Sequence, residues 1–539
     1  MARRIAVIGG GSAGLTSIKC CLDEGLDPVC FESSDDIGGL WMFKETPEPE
    51  RSSLYRSLAI NSSKEMTCFS DFPMPGHYPN YFDHSMMLNY VRLYAEHFDL
   101  LKYINFQTSV VSVRQRHDSG QWEVLTEKRD GHKETHVFDG VLVCSGSCTH
   151  PFTPRSAFPG IDTFPGKCFH SWEYKDPHSF HGKRVVVIGS GNSAGDIAVE
   201  ISRVAEKTFL SMRDGAWVVS RLATSGMPFD MSTNNRLVSI LMQVFPHALL
   251  NWAVERVYNE KYDHKLYGLK PSYRILKQRP MVNDELPARI FHGAVQVKPN
   301  VREFQGSTVV FDNGAVEDGI DAVIFCTGYK PSFSFLISAK EMDHVGEMSL
   351  YKKVFPLFLE RPTLAIIGLI SGSGAIMPMM EMQARWATRV FAGLNQLPPV
   401  PIRQKIYEKD QKANMKRCFS PRNAPLEVDF IPYMDSIARE IGVRPNLLWL
   451  FLTDPSLGGR VLFGPCTPYQ FRLCGPGQWA GARQAILTQW ERVYQPLKTR
   501  PIPEDETSGI LFWLGLAGGV LLIFALIILQ ERFNPFLSI

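Results

Sequence analysis

Two stretches of the 539-residue chain share one pattern of apolar and polar positions. Each opens with a short unbroken apolar run, breaks into glycines, and resumes with apolar residues at helical spacing. The first run, Ile5 to Ile8, leads into Gly9-Gly10-Gly11-Ser12-Ala13-Gly14 and a helical stretch from Leu15 to Glu24. The second, Val185 to Ile188, leads into Gly189-Ser190-Gly191-Asn192-Ser193-Ala194-Gly195-Asp196 and another helical stretch. An unbroken apolar run bounded by turn residues predicts a strand buried on both faces, as a parallel sheet requires. Strand, G-x-G-x-x-G/A loop and helix, in that order, predict a dinucleotide-binding turn. Its glycines let backbone N–H groups approach a pyrophosphate at a helix N-terminus.

The strands that follow separate the two sites. Pro28 to Phe31 ends in Glu32, and a carboxylate there accepts from a ribose 2′-hydroxyl, which suits FAD. Phe209-Leu210-Ser211-Met212-Arg213 ends without a carboxylate, and its hydroxyl and guanidinium suit the 2′-phosphate of NADP(H). A second echo supports the duplication: the run from Asp139 to Gly146 resembles the run from Asp321 to Gly328, which contains Thr327. Both are read as strands closing their nucleotide-binding units.

Between 214 and 295 the rhythm changes. Leu237, Ile240, Leu241 and Val244 recur at helical spacing up to Pro246, and Trp252, Val254 and Tyr258 continue in another helix. This helical insertion either roofs the route to a substrate or packs as an ordinary insertion. The expected fold is α/β, with two Rossmann-like dinucleotide-binding domains (FAD and NADP), a helical insertion and a C-terminal transmembrane helix. Its boundaries are read as FAD domain 1–150 and 331–442, NADP domain 151–213 and 296–330, insertion 214–295, and membrane-proximal region 443–508. Residues 509–529 carry no charge, and as a helix they span about 30 Å, enough for a hydrocarbon core. They are expected to anchor the protein by its tail, with Lys498 and Arg500 on the cytosolic side. The amino-terminal MARRIAVIGGGSAGL has too short an apolar run to be a signal peptide.

Composition narrows the function. A net charge of +2 gives no reason to expect nucleic acid as a partner. Eleven scattered cysteines without a C-x-x-C pair support neither a zinc site nor a disulfide reductase, so no metal is expected. A reducing compartment is expected for the bulk of the chain.

Phe164-x-Gly166-x-x-x-His170-x-x-x-Tyr174 precedes the second glycine loop. With IGGLW at 37–41, NSSKEMTCFSDFPMP at 61–75, NDELP at 283–287, FCTGY at 325–329, LYKKVFP at 350–356, and FGPCTPYQFRL with GPGQW at 463–479, it resembles flavin-containing monooxygenases of the vertebrate, dimethylaniline-oxidising type. The resemblance covers essentially the whole chain. It implies FAD contacts at Gly9, Gly10, Gly11, Ser12, Ala13, Gly14, Glu32, Leu40, Trp41, Ile60, Asn61 and Ser62. It implies NADP contacts at Asn61, at Gly189, Gly191, Asn192, Ser193, Gly195 and Asp196, and at Ser211 and Arg213, with Thr327 close to the cofactors. Asn61 is the expected residue of the oxygen chemistry, facing the flavin and the retained nicotinamide. An amide suits that place because it donates and accepts without titrating; an Asn capping the following helix is the alternative. His170 is not assigned to catalysis.

The resemblance further implies NADPH- and O2-dependent oxygenation of a soft nucleophile, a tertiary amine nitrogen or thioether sulfur, through a C4a-hydroperoxyflavin. It also implies residence in the endoplasmic reticulum membrane with the body facing the cytosol. Baeyer–Villiger oxygenation of ketones, an uncoupled NADPH oxidase releasing H2O2, and a non-catalytic membrane-tethered nucleotide-binding protein stay open, as does oligomeric assembly. Four departures from the family pattern bear on this: Ser33 and Trp172 stand where Arg is common, Ser147-Cys148 replaces a frequent His pair, and Ser371 stands where a Gln is frequent.

Overall fold

Two five-stranded parallel sheets form the frame. The first runs, in spatial order, Leu364–Ile366, Gly140–Val143, Arg4–Ile8, Asp27–Phe31 and Ile104–Asn105. The second runs Val295–Lys298, Lys207–Ser211, Arg184–Ile188, Ala322–Phe325 and Lys167–His170. The computed structural model describes residues 2–223, 226–336, 349–420 and 424–500; the segment expected to cross a membrane, 509–529, lies outside them. Among the described residues no helix is long and apolar enough to cross a membrane. The described residues up to Pro496 form one unit, to which the site described below belongs.

Alternation along each central strand explains the layering, because successive side chains point to opposite faces. Ile5 and Val7 pack with Leu15 and Ile18 of the helix Ser12–Asp23, and with Trp386 of the helix Ile376–Phe391. Ala6 and Ile8 pack on the other face against Val113, Trp122 and Val124 of a three-stranded antiparallel meander. The second sheet repeats the arrangement. Val185 and Val187 face Ala194 and Ile197 of the helix Asn192–Ile201, while Val186 and Ile188 face Phe304 and Val309 of a second meander.

The echoed segments occupy equivalent places. Gly140–Val143 pairs in parallel with the first central strand, and Ala322–Phe325 pairs in parallel with the second. Each follows its meander directly, which accounts for the similar spacing from the two glycine loops. The chain leaves the first domain near His150–Pro151 and returns near Tyr329–Lys330, and these two crossings pair as antiparallel neighbours. Leu364–Ile366 then completes the first sheet.

The helix after the first loop starts at Ser12, three residues before the apolar periodicity becomes visible at Leu15. Within 214–295 the apolar spacing corresponds to helices at Arg236–Val244 and His247–Lys261, with Pro246 between them. All eleven cysteines are free thiols.

Candidate functional site

A single cavity of about 3230 Å³ is lined by both glycine loops. One small-molecule pocket is typically 300–1,000 Å³, so this space accommodates more than one ligand. Both loops reach it in the same way. Gly9 and Gly189 have φ of 104° and 151°, and a Cβ on either would lie 2.8 Å from the Cys144 carbonyl oxygen or 2.4 Å from that of Cys326. Those carbonyls end the two echoed strands. A Cβ on Gly14 would lie 1.8 Å from the Gly9 oxygen, so the first helix rests directly on its own loop.

The helices Ser12–Asp23 and Asn192–Ile201 begin at Gly11 and Gly191, with no side-chain cap and no acidic residue in the first turn. Their first N–H groups are therefore open to an anion. Ser12 Oγ is buried there without a partner. Uncapped helix ends, glycine cradles and an orphaned hydroxyl fit two pyrophosphate-bearing nucleotides, so the residues present suit FAD and NADP(H).

Glu32 is buried, and its Oε2 accepts from the Gly10 N–H at 2.6 Å while Oε1 accepts from the Ser34 N–H at 2.7 Å. These bonds aim the carboxylate along the first loop, where a ribose would lie. Arg213 is 79% exposed just past the end of its strand, and among the described residues it pairs only with Asp214, at 2.9 Å. Ser211 Oγ is buried and donates to the Pro299 carbonyl at 2.8 Å; Asn300, beside it, also lines the cavity. Asn300 was missed from the sequence because it follows a different strand.

Of the residues expected from the sequence, Gly9, Gly11, Ser12, Ala13, Glu32, Leu40, Trp41, Ile60, Asn61, Ser62, Gly189, Gly191, Asn192, Ser211, Arg213 and Thr327 all line the cavity. Gly10, Gly14, Ser193, Gly195 and Asp196 stand behind its wall. Gly195 lies against Met281, and a Cβ there would meet the Met281 sulfur at 2.6 Å. Asp196 accepts from Tyr55 Oη at 2.6 Å and from Asn283 Nδ2 at 2.8 Å. Burial raises its pKa against those hydrogen bonds.

Asn61 does not cap the helix Lys64–Thr67, whose N-cap is Ser63. Its Oδ1 instead accepts from Arg221 Nη2 at 2.8 Å. Arg221 Nε donates to the Ile60 carbonyl at 3.2 Å and Nη1 to Asp284 Oδ2 at 2.8 Å. Burial opposes ionisation of Asp284, yet the bonds from Ser220 and Arg221 prevail and hold its pKa below the usual carboxylate value. Asp230 Oδ2 accepts from the Ser63 N–H at 2.7 Å, and burial raises the Asp230 pKa. Arg221, Asp230 and Asp284 all come from the insertion and fasten the segment 60–63. Asn61 Nδ2 has no protein partner among the described residues, so its N–H donors are left for the cavity.

Phe229, Val238, Met242, Val254 and Tyr258 of the insertion line the same cavity, so the insertion walls it rather than packing elsewhere. On another side Ser371 donates to Glu427 Oε2 at 3.2 Å and accepts from Arg279, and Cys148 also faces the cavity. His170 is buried away from it. Its Nδ1 accepts from the Trp172 N–H at 3.1 Å, and burial lowers its pKa to about 4, so the ring is a neutral structural acceptor.

Comparison with known proteins gives a consistent result. Residues 2–531 match the family described as flavin-binding monooxygenase-like. The chain is 52% identical to flavin-containing monooxygenase 5 of Mus musculus over 512 residues, 94% of this chain and 96% of that one. It is 48% identical to dimethylaniline monooxygenase [N-oxide-forming] 2 of Mus musculus over 522 residues, 96% and 97% of the two chains. Among solved structures, S-allyl-L-cysteine S-oxygenase from Allium sativum has a similar fold, with a TM-score of 0.63 at 23% identity over 92% of this chain and 99% of that one. Cyclohexanone monooxygenase from Rhodococcus bound to NADP+ has a TM-score of 0.59 at 18% identity over 82% and 98%.

Proposed function

From the premise that the chain belongs to the flavin-binding monooxygenase-like family, and so is an NADPH- and O2-dependent flavoprotein oxygenase, we propose that it transfers oxygen to soft nucleophiles, tertiary amine nitrogen or thioether sulfur. One observation carries the reading: both nucleotide loops open into a single cavity, with Asn61 on its wall. FAD, when bound, supplies the redox chemistry, taking electrons from NADPH and passing them to dioxygen.

The protein's own residues bind, orient and exclude water. Glu32 and the uncapped helix at Ser12 would hold the adenosine and pyrophosphate of FAD; the helix at Asn192 and Arg213 would hold those of NADPH. Asn61, fixed by Arg221, presents N–H donors without titrating. Phe229, Val238 and Met242 cover this region with apolar surface, which strengthens each polar contact inside by keeping water out. A soft nucleophile needs no general base, in keeping with an Asn rather than a His or carboxylate at the centre.

Residues 509–529 anchor the chain in the endoplasmic reticulum membrane, with the body in the cytosol. Support comes from their uncharged sequence, from Lys498 and Arg500 before them, and from Leu448, Trp449 and Leu452, exposed at 65%, 62% and 72% on the short helix Leu447–Thr453.

The test is anaerobic reduction of the purified flavoprotein by NADPH, followed by oxygen and then either a thioether or a cyclic ketone. Sulfoxide with little lactone is expected. Lactone as the main product would replace this reading with ketone oxygenation, and H2O2 without either product would make the protein an oxidase.

A further inference from the structure

We propose that Arg51 binds the adenylate half of FAD, delivered to that site by a turn outside the dinucleotide fold. This deepens the flavoprotein reading above and rests on it. Glu48, Arg51 and Ser33 line the cavity beside Glu32. Arg51 Nη1 lies 3.3 Å from Glu32 Oε1 and 3.4 Å from Ser33 Oγ, and Nε lies 3.2 Å from Glu48 Oε2. Nη2 has no protein partner among the described residues. A guanidinium carries five N–H donors in a rigid plane, so an edge and a face remain for a ligand. The side chain is only 18% exposed, although it sits on a surface turn. Ordering a long side chain costs rotamer entropy, and here that ordering places a flat cation against the carboxylate that faces the ribose. A planar cation in that position suits an adenine ring or a nucleotide oxygen better than a lysine would.

The turn is held from a distance. Trp172 Nε1 donates to the Arg51 carbonyl at 2.7 Å, and Lys175 Nζ donates to Ser53 Oγ at 2.8 Å and to the Leu54 carbonyl at 3.2 Å. Two of the sequence departures therefore meet at one residue. Ser33, small and neutral, leaves room for the Arg51 guanidinium beside Glu32, and the Trp172 indole fixes the Arg51 backbone. An arginine at 33 would set a second cation against the first; in this chain a single guanidinium, supplied from position 51, serves the site.

The experiment compares wild type, Arg51→Ala and the double variant Arg51→Ala with Ser33→Arg. FAD release is followed from the diluted holoenzyme by recovery of flavin fluorescence. FMN, which lacks the adenylate half, is titrated into flavin-stripped protein, and the melting temperature of the stripped protein is recorded. Arg51→Ala should release FAD about tenfold faster or more, the size of one charge-assisted contact, with FMN affinity and melting temperature unchanged. Restoring a guanidinium at 33 should recover most of the loss. FAD release at the wild-type rate in Arg51→Ala would overturn the proposal. So would an equal loss of FMN affinity, or a fall in melting temperature that accounts for the change. A wild-type protein that holds no flavin at all would instead remove the flavoprotein reading beneath it.

Discussion

Asn61→Asp isolates the amide donor from everything else the residue does. The substitution is isosteric, and a carboxylate oxygen keeps the 2.8 Å acceptance from Arg221 Nη2, now as an ion pair. A hydrogen bond to a charged group contributes about 1.5–3 kcal/mol, enough to hold the new side chain in the old orientation. What changes is the atom turned to the cavity, from an N–H donor to an oxygen acceptor. Loss of one preorganised donor in a water-poor site costs about 10²–10³-fold, or roughly 2.7–4 kcal/mol. Oxygenated product formed per NADPH oxidised should fall by that order, with H2O2 rising in its place and bound FAD per chain unchanged. Asn61→Leu, which adds no charge, should fall equally and so separates the lost donor from the new negative charge. The assay measures sulfoxide, H2O2 and NADPH consumption in one reaction. Near wild-type coupling in both variants would refute the role given to Asn61; loss in Asn61→Asp alone would show that charge, not the donor, was responsible.

Arg213→Ala should raise the KM for NADPH about tenfold, the size of one charge-assisted phosphate contact, and leave that for NADH nearly unchanged; equal effects on both would contradict the 2′-phosphate assignment. Gly14→Ala should yield protein that retains little FAD, since the added carbon would lie 1.8 Å from the Gly9 oxygen; a full flavin spectrum would show that the loop gives way easily. The pKa of His170 in the folded protein, about 4, lies below its usual value near 6.5. As pH falls below about 6.5 the unfolded chain takes up the proton first, so stability is fully present above 6.5 and declines towards pH 4. Urea melts at pH 7 and pH 5 should show a smaller loss in His170→Asn than in wild type, and parallel losses would rule the histidine out as the source.

The parts of the site that could be read from the sequence are those whose chemistry is local. A glycine loop, its strand and its helix occupy some twenty consecutive positions, and Glu32 and Arg213 each end the next strand, so spacing alone places them. The echo between 139–146 and 321–328 was visible because both strands are buried on two faces and close equivalent units. The residues that orient Asn61 left no such trace. Arg221 reaches Asn61 across 160 positions and Asp230 reaches Ser63 across 167. An arginine or aspartate in a helical insertion looks like an ordinary surface residue until the fold turns it inward. Asn192, Ser193, Gly195 and Asp196 fall within five positions of the loop pattern, but helical rotation leaves only Asn192 of these on the cavity wall. A linear motif cannot distinguish a ligand-facing position from the support behind it. The pattern around His170 marks the chain correctly, although its chemistry is support: His170 accepts from the backbone of Trp172, whose indole fastens the turn that carries Arg51.

The two chain crossings between the sheets run side by side, with Tyr329 opposite Pro151 and Lys330 opposite His150. The whole second domain is thus spliced into the first at a point where its two ends are about 5 Å apart, the spacing of neighbouring strands. An ancestral single-nucleotide fold could have accepted a copy of itself at this place without parting the strands on either side. A tight turn joining residue 150 to residue 330 would bridge the same gap if the guest were cut out again.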